Sequence, residues 1–220
     1  MTKPEEFTVS EARPLPVILL LDSSGSMEGN NINILNAAVR EMLQSFASED
    51  DISAAIHVGV IQFGRTVGWH QPLLPVEDVI SQWNDLSAIG KTPLGQALTL
   101  LRDSLEDRNI VSSRAYRPTI VLVSDGKPTD DWGGPMAELL ASPRASKAAR
   151  FAMGIGADAD SVILSQFIDT ADGSRVFEAH EAGRIQKFFR FVTMSVTTRT
   201  RSGNPNEIIP ADPDDYDFDY

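Results

Sequence analysis

The chain has 220 residues, 42% of them apolar, carries a formal charge of −12 and contains no cysteine. That length and apolar share suit one globular domain with a sizeable core, the missing cysteines exclude disulfides and thiolate chemistry, and the negative charge argues against nucleic acid or an anionic membrane as partner. No apolar run approaches the roughly 20 residues of a membrane span and no leader-like apolar stretch opens the chain, so a cytoplasmic location is expected.

Residues 1–13 are polar and aperiodic, and read as a flexible arm. "LPVILLLD" (Leu15–Asp22) is a continuous apolar run, as in a strand buried on both faces of a parallel sheet. A helix follows, with Leu35, Ala38, Val39, Met42, Leu43 and Phe46 on one stripe. "ISAAIHVGVIQFG" (Ile52–Gly64) predicts a second long strand, and "TVGWHQPL" an antiparallel edge strand beside it. After a loop, Thr92 and Pro93 form a cap and first-turn pair for a helix with Leu94, Ala97, Leu98, Leu101 and Leu105 as its stripe.

"RPTIVLVSDG" (Arg117–Gly126) predicts a further buried strand ending in an acid and a glycine. "MAELLASPRASKAA" reads as a helix interrupted at Pro143, followed by the strand "RFAMGIG". A short helix over Asp160–Asp169, a brief strand in "SRVFEA" and an amphipathic helix with Ile185, Phe188, Phe189, Val192 and Val196 complete the domain. Strands alternating with helices imply an α/β fold: a doubly wound, mostly parallel six-stranded sheet with one antiparallel edge strand and helices on both faces.

The expected organisation is thus an arm over 1–13, a domain over 14–200 and a disordered, acidic, proline-containing segment over 201–220. Between Glu207 and Asp219 that segment holds six acids and no Lys or Arg, half of the net charge of −12. Tyr216, Phe218 and Tyr220 alternate with its aspartates, which fits either a solvated segment or a linear docking motif acting in cis or in trans.

In a doubly wound sheet, ligands sit at the carboxyl ends of the strands near the topological switch point. Asp22, Ser24 and Ser26 follow the first strand, Asp125 ends the "TIVLVS" strand, and Thr92 starts a helix. All are hard oxygen donors, which suit Mg²⁺ best, with Mn²⁺ or Ca²⁺ as alternatives. Taken singly, Ser and Asp here are also ordinary turn and capping residues; the set of three segments is what points to a metal. Gly25 and Gly29 are expected to give the backbone freedom to turn around the ion.

This D-x-S-x-S stretch (Asp22–Ser26), with Thr92 and Asp125 at the matching spacing, resembles the metal-ion-dependent adhesion site (MIDAS) of von Willebrand factor A (VWA) domains, over roughly residues 14–198. The resemblance implies a Rossmann-like VWA fold, with Ser24, Ser26 and Thr92 as direct ligands, Asp22 and Asp125 acting through water or hydrogen bonds, and no role for Ser23. A narrower similarity, through "YRPTIVLVSDGKPTDDW" and "GADADSVILSQF", is to the bacterial TerY-like (tellurite-resistance-associated) branch, in which Asp130 would brace the metal loop. It implies a non-enzymatic scaffold in stress-response or defence signalling beside a Ser/Thr kinase and a PP2C-type phosphatase. A first shell of mostly neutral hydroxyls leaves the metal electrophilic enough to accept a partner's carboxylate.

Other motifs carry less. "GKT" (Gly90–Thr92) lacks the earlier glycine of a P-loop, since that position is Asp85; Lys91 reads as a solvated lysine or an extra contact for an acidic partner. "GIGADA" (Gly154–Ala159) matches a dinucleotide fingerprint, with Asp172 near the ribose-binding distance. It falls in the wrong βα unit and reads as a turn with Asp158 or Asp160 capping a helix. His57, His70 and His180 lack zinc spacing, "SSGSMEG" fails the nucleophile-elbow pattern, and "TTRTRS" (Thr197–Ser202) offers kinase-type hydroxyls beside arginine. The rival functions are a metal-dependent phosphohydrolase, with base and clamp drawn from Lys91 and the Asp125–Asp131 segment, and a VWA subunit of an AAA+ ATPase complex.

Overall fold

Side chains alternate across a strand, so a strand apolar at every position needs a cover on both faces. The computed structural model, which describes residues 12–49, 54–156, 159–168, 176–179 and 182–207, supplies both. Its elements in chain order are β1 (Arg13–Asp22), α1 (Asn30–Ala47), β2 (Ala54–Phe63), β3 (Val67–Pro75), α2 (Val76–Gln82), α3 (Leu94–Glu106), β4 (Thr119–Ser124), α4 (Gly133–Ala141), β5 (Ala149–Ile155), α5 (Ser161–Phe167), β6 (Val176–Ala179) and α6 (Ala182–Arg201).

The strands form one sheet in the order β3-β2-β1-β4-β5-β6. Only the β2–β3 pair is antiparallel; the four other pairs are parallel. Leu15, Val17, Leu19 and Leu21 of β1 face a core shared with α1, α2 and α6. Ile18 and Leu20 face the opposite core, built with α3, α4 and α5. The chain leaves β1 toward β2 on one side and reaches β4 on the other, so the switch point lies between β1 and β4, in register at Leu21 and Val123.

The apolar stripes of α1, α3 and α6 are buried as their spacing predicts. Two local readings need correction. The stretch taken as a loop after β3 contains α2, a two-turn helix whose buried contribution is just Val76 and Val79, too few for a visible period. Helix α4 starts at Gly133, with Pro135 tolerated in its first turn, and stops before Pro143. Of the two acids expected to cap α5, Asp160 does so: its carboxylate accepts from the amides of Val162 and Ile163. Asp158, Asp172 and His180 lie outside the described residues.

Helix α6 continues through "TTRTR"; Thr197 and Thr200 are buried in it, whereas Thr198 is exposed. Arg199, fully buried, donates through Nε to Pro205 O (2.9 Å), through Nη1 to Thr119 Oγ1 (2.8 Å) and through Nη2 to Arg117 O (2.7 Å). Arg117 N in turn donates to Asn206 Oδ1 at 2.8 Å. Residues 202–207 are thereby fastened to the amino-terminal end of β4, opposite the switch-point crevice.

Candidate functional site

At the carboxyl ends of β1 and β4 the apolar run stops and the chain must satisfy turning backbone with side-chain oxygens. Asp22 Oδ1 accepts from Ser24 N at 2.9 Å, closing the turn, and Asp22 Oδ2 accepts from Ser124 Oγ at 2.6 Å, joining the two strands across the switch point. Ser24 Oγ and Ser26 Oγ lie 3.0 Å apart, and Ser26 Oγ donates to Asp125 Oδ1 at 2.8 Å. Asp22, Ser24, Thr92, Ser124 and Asp125 are all buried, whereas Ser26 is exposed, so the cluster opens to solvent at that serine.

Thr92 arrives from the loop before α3. A β-carbon placed on Gly126 would lie 3.8 Å from both Ser26 Oγ and Thr92 Oγ1, so the two hydroxyls flank the same short stretch of β4 loop. The loop is fixed on three sides. Gly25 N donates to Gly90 O (3.0 Å) and Ile89 N to Ser23 O (2.8 Å). Asn36 of α1 exchanges two bonds with the backbone of Leu86. Thr92 N donates to Thr129 Oγ1 (3.2 Å) while Thr129 N donates to Thr92 O (2.9 Å). Ser23 contributes backbone to this frame, its own N–H reaching Phe63 O.

Asp130 caps α3 from outside the helix, its two carboxylate oxygens accepting from Gly95 N and Gln96 N, each at 3.0 Å. Two of the four amides that a helix start leaves unpaired are thus satisfied by a charge that also suits the helix dipole. The capping pair expected of Thr92 and Pro93 therefore differs. Pro93 is the residue that precedes the helix, no side chain of the segment caps it, and Asp130 takes that role from the neighbouring loop. Asp131 accepts from Gly133 N at the start of α4.

The glycine expectation divides. Gly29, at φ 87°, adopts a backbone that L side chains rarely take; Gly25 does not, and a β-carbon there would make only ordinary contact with Gly90 O. Gly90 is the demanding position: φ is 96° and a β-carbon would fall 2.5 Å from Arg65 Cα.

Burial pushes the Asp22 carboxyl above the ordinary range, against the lowering effect of its bonds from Ser124 and Ser24. Burial, then the nearby Asp22 charge, pushes Asp125 up to about 6 despite the bond from Ser26. Neither carboxylate has a Lys or Arg partner among the described residues. Two neighbouring anions held by neutral hydroxyls and amides are an electrostatically incomplete arrangement. A hard cation fits that donor set: the oxygens are hydroxyl and carboxylate, with no sulfur or imidazole. Among the described residues no group of three or more His, Cys, Asp or Glu could hold a metal, so any ion here depends on Ser24, Ser26 and Thr92. Those three hydroxyls and the two acids lie together at the carboxyl ends of β1 and β4.

Two contributors escape a sequence reading. Ser124, buried and bonded to Asp22, is hidden as the last residue of an apolar strand. Asn36 signals itself only as a polar residue inside the stripe of α1. The histidines stay apart: His57 is half-buried in β2, its pKa lowered by burial, and His70 sits on the edge strand β3, against Asn84 O.

The von Willebrand factor type A domain family model matches residues 17–191. No curated protein matches the sequence. Solved structures sharing its fold include proximal thread matrix protein 1 (PTMP1) from the mussel byssus with a zinc occupied MIDAS motif, at TM-score 0.65 and 19% identity over 82% of this chain and 47% of that one. The pilus adhesin SpaC from Lactobacillus rhamnosus GG, in an open conformation, gives 0.67 and 16% over 86% and 31%. The ArnB paralog VWA2 from Sulfolobus acidocaldarius gives 0.59 and 19% over 86% and 45%. This chain spans less than half the length of each, and at these identities the likeness carries the fold alone. With the family model covering most of its length, the chain belongs to the von Willebrand factor type A domain family.

Proposed function

We propose that the protein is a non-enzymatic, Mg²⁺-dependent interaction module, with Ser24, Ser26 and Thr92 as direct ligands and Asp22 and Asp125 as the charges behind them. The observation that carries this reading is the pair of buried, cation-less carboxylates meeting three hydroxyls at the open end of the switch point. When bound, the ion offers an electrophilic position to a partner's Asp or Glu. The chain's own work is orientation. Asp22 holds Ser24 through its amide, Ser26 is held by Asp125, and Asp130 and Thr129 fix the segment on which Thr92 rides.

The phosphohydrolase alternative is less well served. Both oxygens of Asp130 are engaged on α3, which leaves Asp125 and the exposed Asp131 as the segment's candidate bases. The AAA+ subunit reading has no specific observation in its favour. Because the site suits an acidic protein ligand, and because the sequence resembles the TerY-like branch, we assign the module to a cytoplasmic stress-response or defence system with a Ser/Thr kinase and a PP2C-type phosphatase as partners. No helix among the described residues is long and apolar enough to cross a membrane.

Calorimetric titration with Mg²⁺, and binding to the kinase and phosphatase with Mg²⁺, with EDTA and with Asp22→Ala protein, test the reading. Heat from Mg²⁺ and partner binding that both vanish in the variant are expected. Partner affinity indifferent to chelator and to the substitution defeats the metal bridge.

A further inference from the structure

At the amino-terminal end of the sheet, where β1 and β2 begin and β3 ends, the surface opens into a cleft of about 430 Å³. Phe46, Ile56, Pro75 and Val76 give it an apolar floor. Its volume falls in the range of about 300–1,000 Å³ typical of ligand clefts.

One wall of the cleft is basic. Arg13 and Arg114 line it, both exposed. Arg13 is held there by a bond from its Nε to Arg114 O (2.8 Å) and by its guanidinium, 4.1 Å from the centre of the Tyr116 ring. Arg117 is exposed three residues beyond Arg114, and the Arg199 guanidinium is buried against the Arg117 carbonyl and two other neutral acceptors. Among the described residues none of these four is ion-paired. Glu77, on the α2 side, is the one acid among the described residues that lines the cleft, and Glu49, just past α1, is taken up by Arg201. Asp50 and Asp51 lie outside the described residues. On a chain of net charge −12, this wall attracts an anionic ligand, and the floor selects one that also carries apolar groups.

The chain beyond Glu207 has that chemistry. Asp212, Asp214, Asp215, Asp217 and Asp219 have no Lys or Arg among them, and Tyr216, Phe218 and Tyr220 alternate with the last three. In an extended backbone the rings fall on one side and those carboxylates on the other, which matches an apolar floor beside guanidinium forks. The other segment that adjoins the cleft, residues 1–11 ahead of Ala12, sets Lys3 against Glu5, Glu6 and Glu11 and has a single aromatic residue, Phe7. It matches less well in both charge and rings.

Reach points the same way. Asn206 Oδ1 accepts from Arg117 N at 2.8 Å, and the three residues from Arg117 to Arg114 span at most about 11 Å. Crossing from β1 to β3 adds two strand spacings, about 10 Å. The ten residues from Asn206 to Tyr216 extend up to about 33–36 Å, more than the path requires. A flexible tether of that length holds the segment at an effective concentration on the order of millimolar, so the same molecule supplies it ahead of a second copy.

We propose that the acidic, aromatic segment 212–220 docks in cis in the cleft between Arg13, Arg114 and Pro75, with its rings on the floor and its carboxylates on the arginines. The cleft lies at the far end of the ten-residue β1 from Asp22, about 30 Å away. The docked segment therefore leaves the hydroxyl cluster open, and its binding needs no metal.

The test is titration of a fluorescent peptide of residues 209–220 into full-length wild type and into full-length Y216S/F218S/Y220S protein, whose own segment lacks its rings. Wild type, its cleft already filled, should bind the peptide about tenfold or more weakly than the variant does. Within the Y216S/F218S/Y220S chain, Arg114→Glu should weaken the peptide about tenfold or more, and Arg114→Lys, which keeps the charge but not the fork, by less. EDTA and Asp22→Ala should change nothing, and circular dichroism checks that each variant is folded. Equal peptide affinity for wild type and Y216S/F218S/Y220S protein overturns the proposal, as does affinity that survives Arg114→Glu. Peptide binding lost in EDTA or in Asp22→Ala overturns it by placing the segment at the metal end. A wild-type block relieved by Phe7→Ser but not by Y216S/F218S/Y220S gives the cleft to residues 1–11, and a block that appears only where wild type sediments as an oligomer gives it to a second copy; either result overturns docking in cis.

Discussion

The two ends of the β1–β4 pair each bury charge without an opposite charge beside it, and they do so to different effect. At the amino-terminal end Arg199 is wholly enclosed, its guanidinium spread over Pro205 O, Arg117 O and Thr119 Oγ1. Burial, then the nearby Arg117 charge, lowers its pKa to about 10, which keeps it charged at neutral pH. At the carboxyl end Asp22 and Asp125 share a few neutral donors, repel one another and open to solvent at Ser26. Asp125, at about 6, titrates close to working pH. A buried charge whose hydrogen bonds are complete is a structural rivet, whereas a pair whose bonds are incomplete is poised for a ligand.

That contrast breaks if removing either charge has the same consequence. Arg199→Met should be the most damaging substitution, costing about 3–5 kcal/mol, because it leaves two carbonyls and a hydroxyl buried without donors and releases residues 202–207. Arg199→Lys should recover only part of this, since one ammonium cannot span three acceptors set by a planar fork. Urea unfolding measures both. Mg²⁺ affinity of the folded fraction should be unchanged, and a matching loss of Mg²⁺ binding would mean that the two ends are coupled.

At the other end the sign reverses. A carboxyl whose folded pKa lies above its unfolded value binds its proton more tightly when folded. Its stability contribution is therefore full at low pH and is lost as pH rises through about 6. Metal-free protein should gain on the order of 1–2 kcal/mol between pH 7 and pH 5, with Asp22 acting in the same direction. Asp125→Asn should be at least as stable as wild type at pH 7 without metal, lose most of that pH dependence and fail to bind Mg²⁺. Saturating Mg²⁺ competes with the proton, so its stabilisation of wild type should be larger at pH 7 than at pH 5. Thermal melts of both proteins, with Mg²⁺ and with EDTA, check the four quantities together.

The fold and the five candidate oxygen donors were legible because both express themselves in short stretches. A strand covered on two faces must be apolar throughout, as in Leu15–Leu21, and four of the donors follow the ends of such strands, while Thr92 stands just before α3. What was illegible depends on contacts between distant segments. Helix α2 shows no period because two valines anchor it. The cap of α3 comes from Asp130, 35 residues beyond Gly95. The need for glycine at position 90 comes from the passing backbone of Arg65. Arg199, read as part of a basic and phosphorylatable run, is buried because β4 and residues 205–206 close over it, and no local pattern announces that.

Asp130 links the two kinds of burial, since it is a charge fully satisfied by backbone that also supports the open site. Asp130→Ala removes the acceptor for the Gly95 and Gln96 amides and should cost about 1–2 kcal/mol. The two bonds between Thr92 and Thr129, one from Thr129 N to Thr92 O and one from Thr92 N to the Thr129 hydroxyl, remain, so the loop should stay folded but become less well fixed, and Mg²⁺ affinity should fall by only a few fold. Asp131→Ala, which loses a single 3.3 Å bond at an exposed turn, should change stability by a few tenths of a kcal/mol and leave Mg²⁺ binding alone. Calorimetry and urea unfolding of the two variants side by side separate them. Equal effects would place the support of Thr92 in the whole 127–132 loop, whereas a gap between them assigns it to the one carboxylate that reaches the start of α3.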